Sequence, residues 1–177
     1  MGRIILPENL AVGGGLDLSG TKITELPERL MVGGKLILCD TQISMLPEGL
    51  IVEGELDLSG TQITTLPDNL VVGDELFLCC TPIITLPDYF ICGSLYLDPE
   101  HFSGVAFRKH CGDNNRTIFA VRVNKILHIS ADCFYGPIEQ FEDVVDRKYS
   151  GEAAEAYKQA ARDCINELKE KLSARPQ

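Results

Sequence analysis

The 177-residue chain has no tryptophan, and aromatic residues make up only 7% of it. That scarcity argues against a large globular core; with 45% apolar residues, a thin stack of aliphatic layers suits the composition better. No stretch approaches the ~18 consecutive apolar residues of a membrane helix. Residues 1–15 also lack the basic start and long apolar run of a secretory signal. Met1-Gly2 opens as a myristoylation site does, but Leu6 stands where such a site needs Ser or Thr.

Paired cysteine motifs are missing too. The seven cysteines are odd in number and include no Cys-x-x-Cys, which leaves no disulfide framework or zinc spacing to read. His110, Cys111, His128 and Cys133 are the one conceivable cluster, and their spacing does not suit a metal. The expectation is a reduced, cytoplasmic chain that uses Cys as a small apolar filler and holds neither metal nor cofactor.

Basic residues are scarce in one half alone. Residues 1–98 hold 14 acids against 4 bases, whereas residues 99–177 hold 12 of each, so the whole net charge of −10 sits in the first half. With almost no Lys or Arg to replace phosphate counterions, direct nucleic-acid binding there is disfavoured. A basic protein partner is the natural expectation.

What the first half does have is a period of twenty. Leu6-Pro7, Leu26-Pro27, Leu46-Pro47, Leu66-Pro67 and Leu86-Pro87 mark it, and each is followed by a Leu-x-Leu triplet ten residues later. The triplets are Leu16/Leu18, Leu36/Leu38, Leu56/Leu58 and Leu76/Leu78; the fifth, Leu95/Leu97, comes one residue early. A leucine period of about 20–29 residues is the signature of a leucine-rich-repeat solenoid. In a strand, Leu56 and Leu58 face one side and Asp57 the other. Ser59-Gly60 turns the chain, Ile63 and Leu66 point inward, and Pro67 ends strand pairing. Leu70 and Val72 line a return leg that Gly73 closes. One coil cannot bury its own leucines, whereas stacked coils can.

Thr21, Thr41, Thr61 and Thr81 follow the turns, where a hydroxyl can pass hydrogen bonds between coils or satisfy turn backbone groups. Glu8, Glu28, Glu48, Asp68 and Asp88 follow each Leu-Pro and form a column of like charge, a helix-start acid at each bend or a strip for a basic partner. The outward strand positions, where solenoids bind, hold Asp17, Lys35, Ile37, Glu55, Asp57, Glu75, Phe77 and Tyr96. Asp-Ser coils alternate there with apolar-Cys coils, and Ile37, Phe77 and Tyr96 are expected to face solvent beside the acids, as at an interaction face.

From Pro99 the grammar changes. Residues 116–123 alternate as a strand, Asn124-Lys125 reads as a turn, and residues 126–130 as the partner strand. Gly112 to Asn115 is turn material. Pro137 suits a first helical position, followed by a stripe of Ile138, Phe141, Val144, Val145 and Tyr149. Ser150 can cap a second helix, striped by Ala154, Tyr157, Ala161, Ile165, Leu168 and Leu172. The fold expected is thus α/β of the α+β kind: a solenoid of about five coils over 1–98, then a ββαα capping domain over 99–177. The N-terminal coil has no cap of its own, which allows homo-oligomers to form through that end.

The Leu-Pro-x-x-Leu start and the twenty-residue length over residues 3–98 resemble the bacterial LPX class of leucine-rich repeats. That class includes the recognition domains of secreted ubiquitin-ligase effectors. The wording Gly-Gly-x-Leu-x-Leu-x-x-Thr-x-Ile-x-x-Leu-Pro is closer to repeats of bacterial and prophage proteins. The run Ser130-Ala131-Asp132-Cys133-Phe134-Tyr135-Gly136, with Glu139 and Phe141, is similar to a small domain appended to such proteins. The resemblance implies recognition of another protein, in a host cytoplasm if the chain is secreted. It does not imply ligase activity, because the 79 residues after Asp98 leave no room for a catalytic domain of that size.

The function expected is a non-enzymatic protein–protein interaction module, an inhibitor or effector that binds a basic protein through its acidic and apolar strand face. Two alternatives stand beside it. One is an acidic decoy that mimics DNA against a DNA-binding or defence protein. The other is a cysteine-dependent enzyme using Cys133 with His128 and Asp132 or Asp113, which requires a base in reach and a lowered thiol pKa.

Overall fold

A computed structural model of the protein describes residues 4–111, 115–132 and 134–174. They divide into two compact units, one ending at His101 and the other beginning at Phe102.

The first unit is a parallel β-solenoid in which each coil contributes two short strands. The return legs pair as β1 (Ala11–Val12), β3 (Met31–Val32), β5 (Ile51–Val52), β7 (Leu70–Val72) and β9 (Phe90–Ile91). The Leu-x-Leu legs pair as β2 (Leu16–Asp17), β4 (Leu36–Ile37), β6 (Leu56–Asp57), β8 (Glu75–Phe77) and β10 (Ser94–Tyr96). We call these the return sheet and the front sheet. The register follows the period: Leu16 pairs with Leu36, Leu36 with Leu56, and Leu56 with Leu76. Leu76 then pairs with Leu95, while Val71 still pairs with Ile91 at the full twenty. The residue missing from the fifth repeat is therefore lost at the corner between return and front strands.

Identical neighbours make the core. Leu36, Leu56 and Leu76 are wholly buried, as are Ile43, Ile63 and Ile83. Each such side chain contributes roughly 1.5–3 kcal/mol relative to exposure. The corners need glycine because the coils touch there backbone to backbone. A Cβ on Gly54 would lie 2.8 Å from the Gly34 carbonyl carbon, and one on Gly73 would run into the Glu53 carbonyl oxygen.

The threonines serve one of their two expected roles. Thr21, Thr41, Thr61 and Thr81 each donate to the carbonyl three residues earlier, at 2.6, 2.7, 2.7 and 2.8 Å. These bonds close the turn inside a coil. The links between coils at this corner are carried by backbone, as in Gly20 N to Cys39 O at 2.9 Å and Asp40 N to Ser59 O at 3.0 Å, except that Cys80 N donates to Asp98 Oδ2 at 2.8 Å.

The second unit is an antiparallel sheet with two helices. The expected hairpin is present as β12 (Arg116–Val123) and β13 (Ile126–Ala131). Asn124 and Lys125 both have positive φ, 51° and 65°, the signature of a type I′ turn. The hairpin is only the centre of the sheet, however. β11 (Val105–Cys111) and β14 (Phe134–Gly136) flank it, making four strands in the order β11-β12-β13-β14. β11 is hard to read because Arg108-Lys109-His110 breaks the alternation and a register shift falls between Arg108 and Cys111.

α1 (Ile138–Lys148) and α2 (Gly151–Ser173) follow. Pro137 sits at the N-cap, one position before the place expected, and Ser150 occupies the second N-cap without a side-chain cap bond. The α2 stripe is buried as expected, with Leu172 half-buried and Cys164 added, against Ile118, Ala120 and Ile129 of the sheet. No helix among the described residues is long and apolar enough to cross a membrane.

Candidate interaction face

On the front sheet the outward positions fall into register as one row: Asp17, Ile37, Asp57, Phe77 and Tyr96. Lys35, Glu55 and Glu75 lie alongside, each one residue before a core leucine. The fold thus brings all eight expected residues onto one face.

Exposure across that face is uneven. Asp17 and Lys35 are exposed; Ile37, Glu55, Asp57, Glu75, Phe77 and Tyr96 are half-buried. Ile37, Phe77 and Tyr96 lie on the outward side as expected, but each is only partly exposed. Neighbouring strands lie about 4.7–4.9 Å apart, so adjacent long side chains cover one another. Phe77 and Tyr96 stack with ring centroids 4.5 Å apart and planes 7° from parallel. Such pairs are worth about 0.5–1.5 kcal/mol beyond their burial.

The polar residues are also engaged. Lys35 Nζ lies 2.6 Å from Glu55 Oε2, and that hydrogen bond raises the lysine pKa. Asp17 and Asp57 each accept a hydrogen bond at 2.9 Å from the backbone N–H of Ser19 and Ser59. Where the row holds Asp, its carboxylate closes the following Ser-Gly turn. The Asp17 carboxyl is held below the usual range by its bonds to the Ser19 hydroxyl and backbone.

Cys39 and Cys79 border the row, and burial raises both thiols, with Asp57 and Asp98 as the next causes respectively. A raised pKa keeps them protonated and poorly nucleophilic.

Sequence reading missed a second surface. The outward positions of the return sheet, in register, are Ala11, Met31, Ile51, Val71 and Ile91, an unbroken apolar row. Met31 and Ile91 are about half exposed (48% and 56%). The third side carries the Leu-Pro acids. Glu8, Glu28, Glu48, Asp68 and Asp88 are all exposed, and an open groove of ≈ 380 Å³ runs beside Glu48 and Asp68 over Met45, Leu66 and Leu86.

The residues of the catalytic alternative are described only in part. Cys133 and Asp113 lie outside the described residues. Asp132 forms an ion pair with Arg116, and the His128 ring stacks on Tyr135 at 5.0 Å. Among the described residues, no group of three or more His, Cys, Asp or Glu could hold a metal ion. No protein-family model matches the chain, and neither a curated protein nor a solved structure is detectably similar to it.

Proposed function

We propose that the solenoid is a protein-binding module of the leucine-rich-repeat kind, whose front face receives a basic protein. The observation that carries this reading is the stacked Phe77–Tyr96 pair set in line with Asp57 and Asp17. A rigid aromatic platform beside fixed carboxylates offers apolar contact area and orients a cationic side chain at little entropic cost. The decoy alternative needs one continuous acidic surface. Ile37, Phe77 and Tyr96 interrupt the front row, and the Leu-Pro acids occupy another side of the coil, so the protein-binding reading is preferred.

The test is affinity capture from native cells with wild type, Phe77→Ala and Asp57→Lys as baits, read by mass spectrometry. Loss of the same basic protein from both variants supports the face, whereas unchanged recovery removes it. Binding that weakens with salt as steeply as protein–DNA complexes do would move the assignment to the decoy.

A second contact is proposed at the first coil. Leu6, Leu10, Val12 and Leu16 are half-buried there, where Leu36, Leu56 and Leu76 are covered completely. A second copy stacking on this coil would bury them. Light scattering on concentrated protein should then give a mass above that of the monomer, and a strict monomer would refute it.

A further inference from the structure

We infer that the C-terminal unit carries a small-ligand site, distinct from the front face, for a short branched-chain carboxylate. The site is an open pocket of ≈ 50 Å³ between one corner of the antiparallel sheet and the helices. Its floor is Ile118, Phe134, Phe141 and Val145, and its wall is Ala131, which pairs with Ile118 on one side and Phe134 on the other. Protein interiors leave few apolar spaces larger than a water. This one stays open because Ala131 is the small residue at the point where three strands face α1.

Size and lining set the apolar part of the ligand. A water needs about 10–15 Å³ of such volume, while a cavity of about 150 Å³ takes benzene. The pocket therefore fits an isopropyl or isobutyl group and is too small for a ring. Its apolar walls give a water few partners, which favours a hydrocarbon guest.

Charge at the mouth sets the head group. Arg116 and Asp132 stand there as an ion pair and cancel. Lys148, in the last turn of α1, adds one cation; its Nζ lies 5.8 Å from the Tyr149 ring centroid. Among the described residues no carboxylate pairs with Lys148. A ligand whose branched end fills the floor would leave a carboxylate beside this ammonium, a charge-assisted contact at the exposed rim of the pocket. The same chemistry exists in a free acid and at the C-terminus of a peptide ending in Leu or Val. The small volume of the pocket and its single unpaired cation favour the free acid.

The experiment is an NMR titration of the full chain with 3-methylbutanoate, 3-methylbutan-1-ol and N-acetyl-leucine, following the amide signals of Phe141, Val145 and Tyr149. The acid should give saturable shifts. The alcohol should bind at least tenfold more weakly, as should the acid to Lys148→Glu. Ala131→Leu, which fills the space, should abolish the shifts while leaving solenoid signals in place. If that variant does not fold, the surface substitution Lys148→Glu decides alone. Absence of saturation at tens of millimolar acid, or shifts that Lys148→Glu leaves unchanged, overturns the site. Tighter binding of N-acetyl-leucine than of the free acid overturns the free-acid assignment.

Discussion

The two units of this protein reach a buried core by opposite routes. In the solenoid a core position is repeated every coil, so Leu56 packs between Leu36 and Leu76, and the corners are glycine on glycine. In the C-terminal unit each core residue has its own surroundings: Phe141, Tyr157 and Cys164 share one cluster with Ile118 and Ile129. Electrostatics divide in the same way. The solenoid carries the surplus acid, whereas the C-terminal unit ties its charges together, with Glu167 held by Arg108 at 2.6 Å and by Lys171 at 2.8 Å. Lys158 likewise bridges Asp146 and Glu155, at 2.8 and 2.7 Å. Repetition makes a core that tolerates no change of backbone separation. A unique cluster tolerates local gaps, and the pocket beside Ala131 is one.

That contrast is sharpest at glycine. Gly73→Ala should cost about 3 kcal/mol or more, because its methyl has only fixed backbone to displace. Gly104→Ala in the other unit meets nothing within 4 Å and should stay within about 0.5 kcal/mol of wild type. Urea unfolding of both variants measures the difference, and equal costs would break the comparison. Next in size, Leu56→Ala should lose roughly 2–5 kcal/mol, and Leu36→Ala a similar amount, since both are wholly buried with a leucine in register on either side. Costs that differ by more than about 2 kcal/mol would mean that the coils are not equivalent.

Smaller effects follow from single polar groups. Thr61→Val removes the donor to the Leu58 carbonyl in a fully buried turn and should cost about 1–2 kcal/mol. Thr21→Val should cost less, because Thr21 is only half-buried and water can replace the hydroxyl.

The smallest change concerns pH. Glu167 is held below the ordinary glutamate range, first by Lys171 and then by Arg108. A carboxyl so lowered binds fewer protons folded than unfolded. Its contribution is therefore complete above the ordinary glutamate value of about 4.3 and is lost as pH falls through the folded value. Glu167→Gln should flatten the fall of Tm between about pH 5 and pH 3; an unchanged slope would assign acid sensitivity elsewhere.

The front row was legible because strand alternation and the period together place Asp17, Ile37, Asp57 and Phe77 on one face. On the return leg the inward Leu70 and Val72 were legible but the outward row was not, for a reason visible in Leu70-Val71-Val72. Its outward row is apolar as well, so inward and outward residues run together without alternation, as in strands buried on both faces. β14 is three residues long, too short for a pattern of its own. The pocket depends on Ala131, Phe134 and Val145 meeting from three elements, which no local window contains.

The sequence by itself determined the period, the register that the period imposes, and the placement of the whole net charge in the solenoid. These follow from chain chemistry and short-range spacing, which any compact arrangement must respect. Tertiary structure decided how exposed Ile37, Phe77 and Tyr96 are, that Lys35 is held by Glu55, that a four-stranded sheet surrounds the hairpin, and where the core stays open. Each of these depends on side chains brought together from different elements, where distance and burial are set by the neighbour and not by the residue alone.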